Sequence, residues 1–364
     1  MSKLAVEANA LNLSQGFPDF DCPRELIENV SRAMRDGLNQ YPPMAGVAKL
    51  REAIAGKVLD LYGATLDPER EITVTSGATQ ALYSAITAVV RAGDEVIMFD
   101  PAYDAYEPAV NLNGGVCVHL PLTPPEFSVD WDRVRDAITD RTRLLIMNSP
   151  HNPTGTTWTE RDIEALRDVI AGRDLYLVSD EVYEHIVFDG RMHPSLTRYP
   201  DLYARSFVVS SFGKTYHATG WKVGYCCAPP ALTEALRGIH QWIVFTTTSP
   251  LQHGIADFMV DHPEHHRELS AFYQAKRDLF CDLLEDSRFG YTRASGTYFQ
   301  LVDYSEISDE SDVDVARRLT FEHKIASIPL SVLYEAPPDQ TYLRFCFAKT
   351  DETLEQAADI LCRL

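Results

Sequence analysis

SSFGKTYHATGWKVGY, residues 210–225, sets two lysines, Lys214 and Lys222, among small and aromatic residues. It follows the apolar run SFVVS, residues 206–210, which reads as a strand. A lysine just past a buried strand has two readings. It can run a buried stem out to water and keep an ordinary ammonium. Alternatively, desolvation and neighbouring positive charge lower its pKa and leave an amine able to attack a carbonyl. The sequence on either side bears on which reading holds.

Towards the N-terminus, EITVTSGATQALYSAITAVVRAG (71–93) reads as strand, turn and helix. Short apolar runs then recur between helical patterns: EVIMFD (95–100), GVCVHLPL (115–122), RLLIMNSP (143–150) and DLYLVSDEVY (174–183). Strands alternating with helices predict an α/β fold with a mainly parallel sheet covered on both faces. Ligands of such sheets bind beyond the carboxyl ends of the strands. Here those ends read TSGATQ, FDPAYDAY, NSPHNPTG, SDEVY and SSFGK, all polar or glycine-bearing.

PRELIENVSRAMRDGL (23–38) reads as a helix with Pro23 in its first turn, and GVAKLREAIAGKVLDLYG (46–63) as one stopped by Gly63. The C-terminal part has another character. EHHRELSAFYQAKRDLFCDLLED (264–286) reads as one long helix. GTYFQLVDY, an amphipathic helix around VDVARRLTFEHK, the strand TYLRFCFAK and a final helix follow. We expect a large domain over 38–265 and a smaller α+β domain made of 1–37 and 266–364.

Bulk properties narrow the function. The chain has 364 residues, a formal net charge of −20 and a pI near 4.9. Such a charge argues against a nucleic-acid or anionic-membrane surface, while leaving room for one small phosphate held by local donors. The seven cysteines are scattered, odd in number and without C-x-x-C spacing, so neither a disulfide framework nor a zinc site is expected. Without an apolar signal core or a long apolar span, the reading is a cytoplasmic protein. HPEHH (262–266) could suggest a metal; we read His262, His265 and His266 as a solvated helix face, with no metal expected.

Taken singly, the polar residues at the strand ends have ordinary explanations. Gly77, Ala78 and Thr79 open a helix and could cradle an anion on its backbone N–H groups, yet such turns are common. Asp180 could cap the next helix or pair with a cationic ring nitrogen, and Tyr183 lies three residues on. Asn152 suits an Asn-Pro turn. Arg344 alternates with apolar residues, so it could face solvent or clamp a carboxylate.

Their order and contexts together tell more. SSFGKTYHATGWKVGY, DEVY, NSPHNPTG and YLRFCFAK resemble the pyridoxal-phosphate-dependent aminotransferases of fold type I, class I. The likeness runs nearly end to end, includes NLSQGFPDF and DPAYDAY, and is strongest with the methionine and kynurenine (glutamine) aminotransferase branch. It implies a seven-stranded, mainly parallel sheet in the large domain and pyridoxal 5'-phosphate as cofactor. It also implies roles. Lys214 matches the lysine that bonds the cofactor and later moves the proton from Cα. Lys222, Ser211, Gly77, Ala78 and Thr79 match the phosphate site. Asp180 matches the carboxylate facing the pyridine nitrogen; Asn152 and Tyr183 match partners of the phenolic oxygen; Tyr103 matches the stacked aromatic. Arg344 matches the α-carboxylate clamp, and Gly16 lies in a loop that closes over substrate. Tyr41, in NQYPPMAG, and Phe245, in HQWIVFTTT, match groups that reach the neighbouring subunit's site, implying a homodimer with shared active sites.

The implied reaction is ping-pong transfer of an amino group from an L-amino acid to a 2-oxo acid. Without an evident second arginine, an aspartate-type donor is not expected; Phe17, Tyr103 and Phe245 suit methionine, aromatic amino acids or glutamine. A cysteine-conjugate β-lyase would use the same Lys214 and Asp180. A non-catalytic regulator on this scaffold is disfavoured by the intact lysine and aspartate. One departure stands out: relatives carry an N-terminal arm before the region matching NLSQGFPDF, and here only a short segment precedes it. A truncated sequence, a misplaced start or a naturally trimmed arm is therefore expected, with consequences for the substrate pocket and not for the cofactor core.

Overall fold

A computed structural model describes residues 1–364. Its central sheet has seven strands. In spatial order they are Ile72–Thr75, Gly224–Cys227, Ser206–Ser211, Tyr176–Asp180, Thr142–Asn148, Glu95–Asp100 and Val116–Pro121. All run parallel except Gly224–Cys227, which is antiparallel to both neighbours. That strand is the one the sequence pattern does not announce; it begins at the last two residues of the lysine-bearing stretch, Gly224 and Tyr225, and runs on to Cys227. The inner strands are buried along their length, hence their unbroken apolar runs. One face carries a core with Ile54, Leu145, Leu177 and Val208. The other carries Ala81, Ile86, Val96, Val178 and Phe207.

Helix Ala78–Val89 starts directly after the edge strand, with Gly77 as its N-cap at φ 79°, a left-handed conformation suited to glycine. Gly63 ends helix Ala48–Tyr62 in the same region, at φ 70°. Pro23 precedes helix Arg24–Arg35 as its cap and so stands one place outside the first turn. Helices Ser2–Ala8, Tyr106–Leu112, Trp131–Ala137, Glu160–Ile170, Pro230–Ile243 and Ser249–Asp261 are the other main helices of the N-terminal and central regions.

In the C-terminal part, Phe299–Asp303, Tyr342–Cys346 and Ile328–Pro329 form an antiparallel sheet. It packs with helices Glu264–Leu283, Asp312–Phe321 and Asp351–Leu361 around Phe280, Phe345 and Leu354. Tyr183, Ile186 and Phe188, which follow the Asp180 strand, join that core. The N-terminal segment is tied in by Leu11–Asn12, which pairs in parallel with Ile325–Ala326. Helix Arg24–Arg35 behaves otherwise than the expected boundary at residue 38 suggests. Its Leu26 enters the larger core, and it crosses helix Ser249–Asp261 at Gly254, where a Cβ would lie 2.4 Å from Val30 Cγ2.

The histidines of HPEHH are not a solvated face. His266 is buried, and His265 Nε2 lies 3.1 Å from the Thr215 carbonyl, because this end of the long helix packs over the Lys214 segment. His262 is half-buried, beside Glu264. No helix is long and apolar enough to cross a membrane.

Candidate active site

Three parallel strands end side by side in Asn148, Asp180 and Ser211. Beyond them opens a pocket whose walls include Gly77, Ala78, Thr79, Tyr103, Asn152 and Asp180, together with Tyr183, Ser211, Lys214 and Lys222. Ten sequence-predicted residues therefore face one space.

Its parts are fixed by their own chemistry. Ser211 caps the short helix Phe212–Thr215, its Oγ accepting from Gly213 N at 3.2 Å and keeping its own hydrogen to donate. That one-turn helix lifts Lys214 from the strand end into the pocket wall. Lys222 adopts φ 54° and brings its Nζ to 3.3 Å from where a Cβ on Gly77 would stand. A side chain at 77 would crowd that ammonium. The helix N-terminus, Ser211 and Lys222 together make a cradle for a small phosphate.

Asp180 is buried at the pocket floor, and its Oδ2 accepts from Tyr106 OH at 2.6 Å. Burial pushes its carboxyl up to about 6, against the pull of Tyr106 and Lys214. Asn148 clips two segments: its amide donates to the Asp180 carbonyl at 2.9 Å, and its Oδ1 accepts from Asn152 N at 2.9 Å. Tyr103 packs edge-on to Tyr106, with centroids 5.5 Å apart, and its hydroxyl is 3.5 Å from Thr79 Oγ1.

Arg344 is 8% exposed, so it faces inward and not to solvent. It donates from Nη1 to Asn152 Oδ1 at 2.7 Å and from Nη2 to the Ser14 carbonyl at 2.8 Å. Its guanidinium lies over the Phe299 ring at 4.0 Å. Gly16 leans on the same ring; a Cβ there would come within 2.7 Å of Phe299 Cζ. The buried Nε of Arg344 has no partner, a vacant donor of the kind an anionic substrate group satisfies.

Lys214 Nζ donates to Tyr298 OH at 2.8 Å and to the Gly16 carbonyl at 3.1 Å. Burial lowers its pKa to about 8, and Arg344 and Lys222 push the same way. Tyr41 and Phe245 are not in the pocket wall of their own chain. They pack edge-on at 5.5 Å and project outward, Tyr41 being 84% exposed.

Sequence reading missed Tyr106, Asn148 and Tyr298. Tyr106 and Asn148 lie within quoted motifs, DPAYDAY and NSPHNPTG, and were legible as polar groups at strand ends. Tyr298 carries no such signal.

A second set of missed residues lies beneath the pocket. Glu184, four residues past Asp180, accepts from Lys57 Nζ at 2.7 Å, Tyr62 OH at 2.6 Å and Ser210 Oγ at 2.5 Å. Tyr225 OH adds a further bond at 2.8 Å. Burial raises the Glu184 carboxyl, but Lys57, His185 and these donors outweigh it and hold it well below the usual carboxylate range. The network ties the strand of Asp180 to that of Ser210 and Ser211. Lys57→Met leaves a buried carboxylate without its cation and is expected to destabilise the fold by about 3 kcal/mol. Urea unfolding of the two proteins measures this; a loss under about 1 kcal/mol contradicts it.

The chain is also similar to known proteins. The family described as aminotransferase class I and II matches residues 8–361. Methionine aminotransferase of Escherichia coli is 50% identical, over 100% of this chain and 94% of that protein. A probable N-succinyldiaminopimelate aminotransferase of Mycobacterium tuberculosis is 35% identical, over 98% and 93%. A kynurenine–oxoglutarate transaminase of Dictyostelium discoideum is 32% identical, over 100% and 92%. A solved E. coli structure, for which methionine aminotransferase function was identified, superposes with a TM-score of 0.98, covering 100% of this chain and 95% of that one at 50% identity. A strand-end lysine, a buried aspartate and a cluster of potential anion donors line one pocket, and an inward arginine is hydrogen-bonded to Asn152 of its wall, in a chain matched along nearly all its length. The protein belongs to the class I and II aminotransferase family, whose fold type I architecture it shares.

Proposed function

We propose that this enzyme moves the amino group of L-methionine, and of aromatic or glutamine-like L-amino acids, to a 2-oxo acid, with pyridoxal 5'-phosphate as cofactor. The observation that carries the proposal is the meeting of Lys214, Asp180 and Asn152 in the wall of a single pocket, with Arg344 hydrogen-bonded to Asn152. The donor set suits that cofactor. Gly77, Ala78, Thr79, Ser211 and Lys222 would hold its phosphate, Asp180 its ring nitrogen, Asn152 and Tyr183 its phenolic oxygen, and Tyr103 its face. When bound, pyridoxal phosphate supplies an electron sink conjugated to the substrate's Cα.

The chain's own residues do the rest. Arg344 binds the substrate carboxylate and orients the Cα–H bond towards Lys214. Lys214, with its pKa near 8, is neutral often enough at physiological pH for Nζ to accept that proton. Burial outweighs the hydrogen bond from Tyr106 and leaves Asp180 near 6; a cationic ring nitrogen beside it would favour the carboxylate, and the carboxylate would favour that cation. Amino-donor and oxo-acid acceptor use the same site in turn, giving ping-pong kinetics. Methionine is placed first because of the 50% identical E. coli methionine aminotransferase.

We further propose a homodimer in which Tyr41 and Phe245 enter the partner's cleft. Tyr41 and Trp242, 84% and 82% exposed, leave aromatic surface that subunit contact would cover. A cytoplasmic location fits seven cysteines that are all free thiols. The division into a large and a small domain is also proposed, following the separate C-terminal core.

Absorbance of the purified holoenzyme tests the reaction. Methionine alone is expected to convert the yellow cofactor band to the amine form, and a 2-oxo acid to restore it. A band that methionine and aromatic donors leave unchanged overturns the proposed donor class.

A further inference from the structure

Tyr298 has no part in the cofactor site as the motifs describe it, yet it is the nearest partner of the Lys214 amine. Its side chain is fully buried, at 0% exposure, against Tyr183, Tyr273 and Phe299. Its hydroxyl has one hydrogen, and the Gly16 carbonyl at 2.5 Å takes it. Burial among these groups keeps the phenol protonated, with its pKa well above the ordinary value. The phenolic oxygen can then meet Lys214 Nζ, 2.8 Å away, only as an acceptor. The Gly16 carbonyl is a second acceptor for the same nitrogen, at 3.1 Å.

A neutral amine has two hydrogens and one lone pair. Two acceptors, Tyr298 OH and Gly16 O, use both hydrogens. Neither residue is in the pocket wall, whereas Lys214 is. The lone pair is left for the pocket side. We propose that Tyr298 is a positioning residue that, with the Gly16 carbonyl, holds the unlinked Lys214 amine with its lone pair aimed at the substrate. The inference rests on Lys214 being the proton-moving amine, and it adds how that amine is aimed when it is free. It also couples aim to the loop: Gly16 cannot leave Phe299 without disturbing both bonds to the lysine.

The other groups facing Nζ cannot supply this. Asp180, Arg344 and Lys222 act on it only through charge, and the Tyr183 ring presents its face at 5.4 Å. Tyr298 is the hydroxyl hydrogen-bonded to it.

The test begins with cofactor-free protein, so it does not depend on turnover. Lys214 is acylated under limiting reagent at a series of pH values, and its labelling midpoint is read by mass spectrometry. In the unsubstituted protein the midpoint is expected near 8, well below that of a free lysine. Tyr298→Phe removes an acceptor that favours the ammonium, so the midpoint falls, by about half a unit or more. In holoenzyme, Tyr298→Phe lowers kcat by about tenfold, with KM within about twofold, and enlarges the isotope effect with α-deuterated methionine.

Tyr273→Phe is the control. Tyr273 packs on Tyr298, but its hydroxyl pairs with His217 and not with the lysine. It should move neither the midpoint nor the isotope effect. An unchanged midpoint in Tyr298→Phe, or equal changes in both variants, overturns the proposal. Should Tyr298→Phe fail to fold, difluorotyrosine incorporated at 298 keeps ring and hydroxyl while weakening the acceptor; a midpoint that does not fall again overturns it. If Lys214 is not the cofactor-bearing lysine, cofactor attaches normally to Lys214→Ala while the labelling shift persists, which separates the two failures.

Discussion

Lys214→Ala is expected to lower multiple turnover by at least about 10⁴-fold, because the proposed mechanism makes one amine both the nucleophile and the base. The fold should survive. The lost stem leaves the Tyr298 hydroxyl and the Gly16 carbonyl next to an open pocket, where water can replace the ammonium. Borohydride reduction and peptide mapping supply a direct readout. The unsubstituted protein should yield cofactor fixed to the peptide holding Lys214, and the variant none. Small primary amines added to the variant should recover part of the rate, since they fit the space the side chain vacates. Full turnover by Lys214→Ala without added amine would remove Lys214 from the mechanism and, with it, the reading of the whole stretch 210–225.

Arg344→Ala should separate substrate binding from cofactor binding. Two charge-assisted bonds to a carboxylate contribute roughly 3–5 kcal/mol, so kcat/KM should fall by about 10²–10⁴. Cofactor affinity should change little, because Arg344 touches Asn152, Ser14 and Phe299 and is not among the residues of the phosphate cradle. Arg344→Lys keeps the charge and loses the planar fork, so it should recover only a small part of the rate. Cofactor affinity is measured by titrating cofactor-free protein, and kcat/KM with methionine. Equal loss in both quantities would mean that Arg344 serves the cofactor pocket instead.

The histidines near the long helix show where local reading stops. HPEHH is polar in sequence and begins a helix, which favours a solvated face. His266 is nevertheless buried, and neither ring nitrogen has a partner, because the helix lays that face over the Lys214 segment and beside His185. Glu184 is a similar case. In sequence it is one more acid after DEVY; in space it collects Lys57 and Tyr62 from one helix, and Ser210 and Tyr225 from two strands.

Local order was legible because it depends on short-range patterns. Alternating apolar runs announced the parallel strands; Gly77 and Gly63 sit where left-handed backbone is needed; polar residues at strand ends marked the rim where a ligand binds. Lys214, Asp180, Asn152 and Arg344 were identifiable by motif, since each belongs to a run whose neighbours are as informative as itself. What only the tertiary structure decided is who faces whom. Tyr298 is separated from Lys214 by 84 positions and Gly16 by 198, so no window of sequence holds the three together. Their hydrogen bonds exist because the C-terminal sheet docks Phe299 beneath Arg344 and Gly16. Burial is likewise a property of packing. The pKa values near 6 for Asp180 and near 8 for Lys214 come first from desolvation, which a residue acquires only when the rest of the chain closes around it.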